Sequence, residues 1–174
     1  MAQDFQEAAK WWRLAAEQGD ADSQYSLGVY YAKGQGVEQN LQESVRLYRL
    51  AAEQGKAAAQ HNLGLCYETG NGVTKDPKEA VKWYRLAAEQ KSPESQCNLG
   101  LCYANGMGVA RDMKEAVKWW KLSAEQGFPA AQYNLGRCYY EGLGSRRDRK
   151  QAKKLFQKAA AQGHPRAKEI LKEI

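Results

Sequence analysis

The chain has 174 residues, 43% of them hydrophobic, and a formal net charge of +6. That is enough apolar material for a core, yet no apolar run approaches the roughly 18 residues of a membrane span, and no transmembrane segment is expected. The first residues, MAQDFQEAAKWW, lack the basic start and apolar centre of a secretory signal. Charge is unevenly placed. From Ser145 onward ten Lys/Arg stand against Asp148, Glu169 and Glu173, which leaves residues 1–144 at −1. A basic end can meet nucleic acid, an anionic membrane or an acidic protein, and its plainest reading is a solvated terminal face.

A unit of 36 residues occurs four times, at 21–56, 57–92, 93–128 and 129–164. Residues 4–20 match only the second half of that unit, and 165–174 open another copy. The shared register is Gln-x-x-Leu-Gly, at Gln24/Leu27/Gly28, Gln60/Leu63/Gly64, Gln96/Leu99/Gly100 and Gln132/Leu135/Gly136. A fixed period of this length means stacked helical pairs, each burying its apolar face against the next. The whole chain, 1–174, therefore reads as a single repeat array. It begins on an orphan second helix, either because the protein begins there or because a longer array has been cut.

Each repeat reads as helix A, loop, helix B. In the third, helix A runs from Pro93 to about Ala104, with Leu99 and Tyr103 on one face. Helix B runs from Asp112 to about Gln126, with Ala116, Trp120 and Ser123 on one face. No segment alternates with period two for long enough to suggest a strand, so the fold class is all-α. Helix B starts carry capping-box pairs, Asp4/Glu7, Asn40/Glu43, Asp76/Glu79, Asp112/Glu115 and Asp148/Gln151, in which the second member is expected to reach back. Pro77 opens a helix B, and Pro93, Pro129 and Pro165 open A helices, at a position where the missing N–H costs nothing. Gly19, Gly55, Gly127 and Gly163 suit a left-handed residue after helix B. Lys91 takes that place once and should be strained or change the turn. The A–B loops, Gly34-Gln35-Gly36, Gly70-Asn71-Gly72, Gly106-Met107-Gly108 and Gly142-Leu143-Gly144, are sharp turns rather than phosphate cradles, since neither a strand nor a following Lys-Ser/Thr accompanies them. Glycine within helix A costs about 1 kcal/mol against alanine. Close approach of the small helix-B residues Ser44, Ala80, Ala116 and Ala152 is the expected compensation.

One copy reads Leu63-Gly64, Tyr67, Gly70, Gly72-Val73, Asp76, Ala80, Trp83-Tyr84, Ala87-Ala88. This pattern resembles the Sel1-like repeat family, relatives of tetratricopeptide repeats, and covers essentially the whole chain. The resemblance implies a right-handed α-α superhelix, an α-solenoid whose A helices line a concave surface. It also implies adaptor or scaffold roles, with hydrolase labels on some cysteine-rich relatives. Fold alone does not fix function.

By that resemblance the concave positions include Tyr25, His61, Cys97 and Tyr133; Asn62, Asn98 and Asn134; Arg137; and Glu68 and Tyr140. Residue type varies there while the frame repeats. The functional reading is a groove for an extended peptide, with amides on its backbone and tyrosines on its side chains. The alternative is that the asparagines bond the backbone of the neighbouring repeat. Cys66, Cys102 and Cys138 share one repeat position. Equivalent points on successive A helices lie about 10 Å apart, beyond the roughly 7 Å of a disulfide. Reduced thiols are expected, and with them a cytoplasmic setting. His61 and Cys97 fall at one position of adjacent repeats, two ligands short of a closed zinc site, so no metal or cofactor is expected. Nothing supplies a nucleophile and a base together, which points away from an enzyme. Trp11, Trp12, Tyr48, Trp83, Tyr84, Trp119, Trp120 and Phe156 fall on helix B and read as packing. Nucleic acid, which needs aromatics interleaved with cations along the groove, is not the expected partner. The reading is a non-enzymatic scaffold for a protein or peptide. The alternative is a structural array acting through its ends. There Trp11 and Trp12 should form an apolar patch for self-association, while Lys168 and Lys172, at the Gln and Gly positions, should mark a polar cap.

Overall fold

The glycine and proline punctuation of the sequence becomes the set of helix ends. In the computed structural model, which describes residues 2–174 and side chains from Gln6 onward, ten helices follow one another. They are α1 (Ala2–Glu17), α2 (Ala21–Lys33), α3 (Leu41–Glu53), α4 (Ala57–Thr69), α5 (Pro77–Glu89), α6 (Pro93–Asn105), α7 (Met113–Glu125), α8 (Pro129–Glu141), α9 (Arg149–Ala161) and α10 (Pro165–Glu173). There is no strand among the described residues. The chain forms two compact units, residues 1–87 and 88–174.

The caps work as the sequence implies, with one difference. Asn40 accepts from Glu43 N at 3.0 Å, Asp76 from Lys78 N at 2.9 Å, Asp112 from Lys114 N at 2.8 Å and Asp148 from Gln151 N at 2.9 Å. The return bond is replaced. Glu43 instead holds Arg46 at 2.6 Å, and Glu79 and Glu115 hold Lys82 and Lys118, each at 3.4 Å. The N–H of the cap residue is already taken: Asn40, Asp76, Asp112 and Asp148 donate to the carbonyls of Tyr31, Tyr67, Tyr103 and Tyr139 at 3.0, 2.9, 2.9 and 2.8 Å, which leaves each glutamate to the cation three residues on. α1 starts at Ala2, so Asp4 sits inside the helix, and its side chain lies outside the described residues. Lys91 keeps the turn at the cost of strain: φ is +68°, and its N–H still meets Ala88 O at 3.0 Å. In a left-handed conformation Cβ crowds the following carbonyl.

The first unit is built by α1 packing on α2, α2 on α3 and α3 on α4. Ala9, Ala16, Leu27 and Leu47 form a core under Trp12, Tyr30 and Tyr31. In the second unit α6 packs on α7, α7 on α8, α8 on α9 and α9 on α10. Cys97, Ala116, Trp120, Ala124, Ala131, Leu135, Cys138 and Leu155 form its core. Buried glutamines stitch successive repeats. Gln24 Nε2 donates to Ala16 O at 3.2 Å and its Oε1 accepts from Gln54 at 2.8 Å. Gln96 repeats this with Ala88 O at 3.1 Å and Gln126 at 2.8 Å. Gln132 repeats it with Ala124 O at 3.5 Å and Gln162 at 3.0 Å. The first letter of the repeated motif is thus an amide that gives a second hydrogen bond to a carbonyl in the last turn of the preceding helix, which also accepts from the N–H of Gly19, Lys91 or Gly127 in the turn.

The mid-helix glycines do meet helix B, chiefly through an aromatic ring, and of the small residues expected only Ala80 is among the nearest atoms, its carbonyl oxygen 3.3 Å from a Cβ on Gly64. An ideal Cβ on Gly28 would fall 2.8 Å from the Tyr48 ring, on Gly64 2.7 Å from Tyr84, on Gly100 2.5 Å from Trp120 Nε1 and on Gly136 2.7 Å from Phe156. Each ring stands one turn beyond the expected Ser44, Ala80, Ala116 or Ala152. Those small residues are themselves buried, each at most 2% exposed. A second close approach fixes the loops: a Cβ on Gly72 or Gly144 would run into the carbonyl of Leu41 or Met113, at the start of the preceding repeat's second helix.

Candidate interaction face on the first helices of the repeats

The rings that press on these glycines also brace the side chains proposed for recognition. In the first unit Tyr25 is half-buried, its ring 5.9 Å from Tyr48, with Lys56 Nζ 5.5 Å from its centroid. Asn62 stands beside the Tyr48 side chain, whose pKa burial pushes up. His61 is half-buried with its ring 5.7 Å from Tyr84, and Glu68 Oε2 accepts from the Tyr84 hydroxyl at 2.5 Å. Beside them a hollow of about 230 Å³ opens, lined in part by Ala32, Tyr48, Asn62, Leu65, Cys66 and Thr69.

In the second unit α8 carries the densest set. Tyr133 lies between Phe156, at 5.9 Å, and His164, stacked on it at 4.6 Å and 22°. Tyr140 lies 6.5 Å from Phe156, with the Arg149 guanidinium 5.4 Å over its ring. Arg137 is exposed and its Nε donates to Glu141 Oε1 at 3.3 Å. Asn134 stands beside the Cys97 thiol. Steps of one, four and seven residues put Tyr133, Asn134, Arg137 and Tyr140 on one side of a helix. Asn98 is half-buried on α6.

Cys97 requires a correction. Expected on the open face, it is 2% exposed and belongs to the core. A Cys side chain is too short to extend over the second helix as Tyr25 or Tyr133 does. It stays beneath the Trp120 indole, whose Nε1 donates to Cys97 O at 3.1 Å. Burial pushes the thiol up to about 12, against the pull of Asn134. Cys66 and Cys138 are pushed by burial to about 11. None of the four cysteines is in a disulfide, and no cluster of three or more His, Cys, Asp or Glu among the described residues could hold a metal. Asn62 stands beside the Tyr48 side chain and Asn134 beside the Cys97 thiol. Each amide keeps further donor and acceptor capacity.

The Trp11/Trp12 patch is also corrected in part. Trp12 packs edge-on against Tyr30, centroids 4.5 Å apart, while Trp11 is 66% and Leu14 53% exposed. Of the bracing partners Phe156, Arg149, Lys56 and His164, the sequence pattern marks the first as packing and gives the other three no such role. Only the first had a signal, an aromatic at the same repeat position as Tyr48, Tyr84 and Trp120.

Ten helices in repeated pairs, joined by Gln and Gly contacts at a fixed spacing, define an α-helical repeat protein. A Sel1 repeat model matches residues 1–20, 21–56, 57–92, 93–128 and 129–164, and the chain belongs to the Sel1 repeat family. Such repeats are typically protein-interaction scaffolds and generally non-enzymatic. Among solved structures, the chain is similar to a Sel1 repeat protein from Oxalobacter formigenes, with 38% identity and a TM-score of 0.89 over 95% of this chain and 66% of that one. It is also similar to c5321, a protective antigen present in uropathogenic Escherichia coli strains, with 39% identity and a TM-score of 0.92 over 95% of this chain and 36% of that one. Helicobacter pylori cysteine rich protein B matches at 25% identity and a TM-score of 0.60, over 76% of this chain and 96% of that one. The chain thus spans just under two thirds of the first protein and about a third of the second. No curated protein matches the sequence significantly. No helix among the described residues is long and apolar enough to cross a membrane.

Proposed function

We propose that the chain is a non-enzymatic scaffold that binds an extended protein segment on the first-helix faces of its repeats, with α8 as the main contact in the second unit. The observation that carries this is the α8 set: two half-exposed tyrosines already held by Phe156, His164 and Arg149, beside an amide and an exposed arginine. Rings held before binding lose little rotamer freedom on contact, which is how aromatic anchors gain affinity. Asn134 can spend its remaining capacity on a ligand backbone. The thiols support the non-enzymatic reading, because Cys66, Cys97 and Cys138 are pushed to about 11 or 12 and remain protonated at neutral pH. The thiolate is the nucleophile, so such cysteines are inert.

Selection from a displayed library of random peptides, followed by fluorescence anisotropy, tests the reading. A selected peptide should lose at least tenfold in affinity for Tyr133→Ala/Asn134→Ala. Leu86→Ala/Leu122→Ala, on the exposed outer face of the second helices, should leave binding unchanged. Equal loss in both variants, or no enrichment, contradicts it. A second reading, self-association at α1, rests on the exposure of Trp11 and Leu14. Trp11→Glu should then lower the mass seen by light scattering. A wild type that is monomeric throughout contradicts it.

A further inference from the structure

The fourth repeat differs from the others in charge at one place. Between the middle of its first helix and the start of its second, residues 137–150 carry Arg137, Arg146, Arg147, Arg149 and Lys150 against Glu141 and Asp148, a net +3. The same window nets 0 at residues 29–42, 0 at 65–78 and +1 at 101–114. The helix starts change with it: Arg149 stands where the earlier second helices begin with Leu41, Pro77 and Met113.

The excess gathers around one ring. Arg149 lies over Tyr140, 5.4 Å from its centroid. Arg147 donates through Nε to Tyr140 O at 3.0 Å, which anchors it while its guanidinium end remains exposed. Arg137 is one turn back on α8. The two carboxylates nearby do not neutralise this corner. Asp148 is occupied as the cap of α9, accepting from Gln151 N at 2.9 Å. Glu141 faces only Arg137, in a pair whose side chains are 45% and 42% exposed, and exposed pairs of this kind are worth little. In the earlier repeats the cation at the sixth position of the second helix is paired with a glutamate. In α9 that glutamate is Gln151, and Lys154 lacks the pairing that Arg46, Lys82 and Lys118 have.

We propose that this cationic corner makes the α8 face selective for an acidic protein segment, whose carboxylates meet Arg137 and Arg149 while adjoining side chains pack against the edges of Tyr140 and Tyr133. This rests on the scaffold reading above and names the chemistry of its partner. Guanidinium groups suit carboxylates because their planar fork can donate two parallel hydrogen bonds, and a ring beneath the fork limits its motion before binding. Single-stranded nucleic acid fits less well. Base stacking needs open ring faces, and here His164 and Phe156 flank Tyr133 while Arg149 and Phe156 flank Tyr140. A membrane surface fits less well too, because Leu143 at 37% exposure is the one large hydrophobic among the described residues of this window that stands exposed.

The test uses three fluorescein-labelled twelve-residue peptides with the same Leu and Tyr content, carrying Glu, Gln or Lys at the remaining positions. Anisotropy should show the Glu peptide binding the full chain at least tenfold more tightly than the Gln peptide, with the advantage shrinking as salt rises. Arg137→Glu/Arg149→Glu should remove that preference and favour the Lys peptide, with an unchanged circular dichroism spectrum. Equal binding of Glu and Gln peptides, lost in Tyr133→Ala/Asn134→Ala, overturns the charge selectivity alone and leaves the scaffold reading standing. Failure of all three peptides, together with failure of the library selection, overturns both. Tighter binding of a twelve-nucleotide oligothymidylate or of phosphatidylserine vesicles than of the Glu peptide also overturns the proposal.

Discussion

A single hydrogen at four helix positions decides how each repeat closes. Alanine in place of an interior helical glycine normally stabilises by about 1 kcal/mol. At Gly100 the sign should reverse, because the added methyl would lie 2.5 Å from the Trp120 indole. Gly100→Ala is therefore expected to lower stability by about 1–3 kcal/mol, read as a lower urea midpoint. A midpoint at or above wild type would mean that the ring yields freely. Lys91 offers the opposite case. It holds φ of +68° at the turn position where Gly19, Gly55, Gly127 and Gly163 hold +92°, +89°, +89° and +88°. Lys91→Gly should raise stability by about 1 kcal/mol by removing that strain, and an unchanged midpoint would show that the turn carries none. The thiols add a pH dependence. Cys66, Cys97 and Cys138 ionise near 9 when unfolded and near 11 to 12 when folded. Below the unfolded value both states hold the proton and stability is flat. Above it the unfolded chain releases protons first, so stability falls as pH rises from about 9 towards 11. Urea midpoints at pH 8 and pH 10 should differ, and the difference should shrink in a variant with all three replaced by alanine.

At the scale of elements, the glutamine ladder joins one repeat to the next. Gln96 gives its amide to Ala88 O and takes that of Gln126. Gln96→Leu fills the space but removes one of two donors to Ala88 O, which keeps the Lys91 N–H, and takes the acceptor from the Gln126 amide, at a cost of about 1 kcal/mol. Amide hydrogen exchange should quicken at the end of α5 and the start of α6. Unchanged exchange there would show the ladder to be incidental. The helix boundaries, the proline starts and the left-handed glycine ends were legible in the sequence, because each follows from local backbone chemistry. The partner of Gly28 and its equivalents was not. Spacing shows that two helices must approach closely, but which residue of the second helix meets the glycine depends on relative rotation, and the ring of Tyr48 lies one turn from the expected Ser44. Glu43, Glu79 and Glu115 escaped for a similar reason: the capping pattern and the ion-pair pattern overlap, and only side-chain geometry separates them.

Across the molecule, repetition made the helical repeat fold readable, since four full copies and a partial first one agree on one frame. The interaction face was legible only as a set of positions. Tyr133, Asn134, Arg137 and Tyr140 fall together on α8, but Cys97 fills an equivalent position with a side chain too short to reach solvent and is buried at 2% exposure. Repeat register assigns direction; side-chain length decides whether a residue arrives. The central claim, that a protein segment is held by the first-helix face, is tested most directly by photocrosslinking. A selected peptide carrying a diazirine leucine would be irradiated on the chain, and the adducts located by mass spectrometry. Adducts on α8, at Tyr133, Arg137, Tyr140 or the residues beside them, are the predicted result. Adducts confined to the outward residues of the second helices, such as Leu86 and Leu122, or to Trp11 on α1, would contradict it.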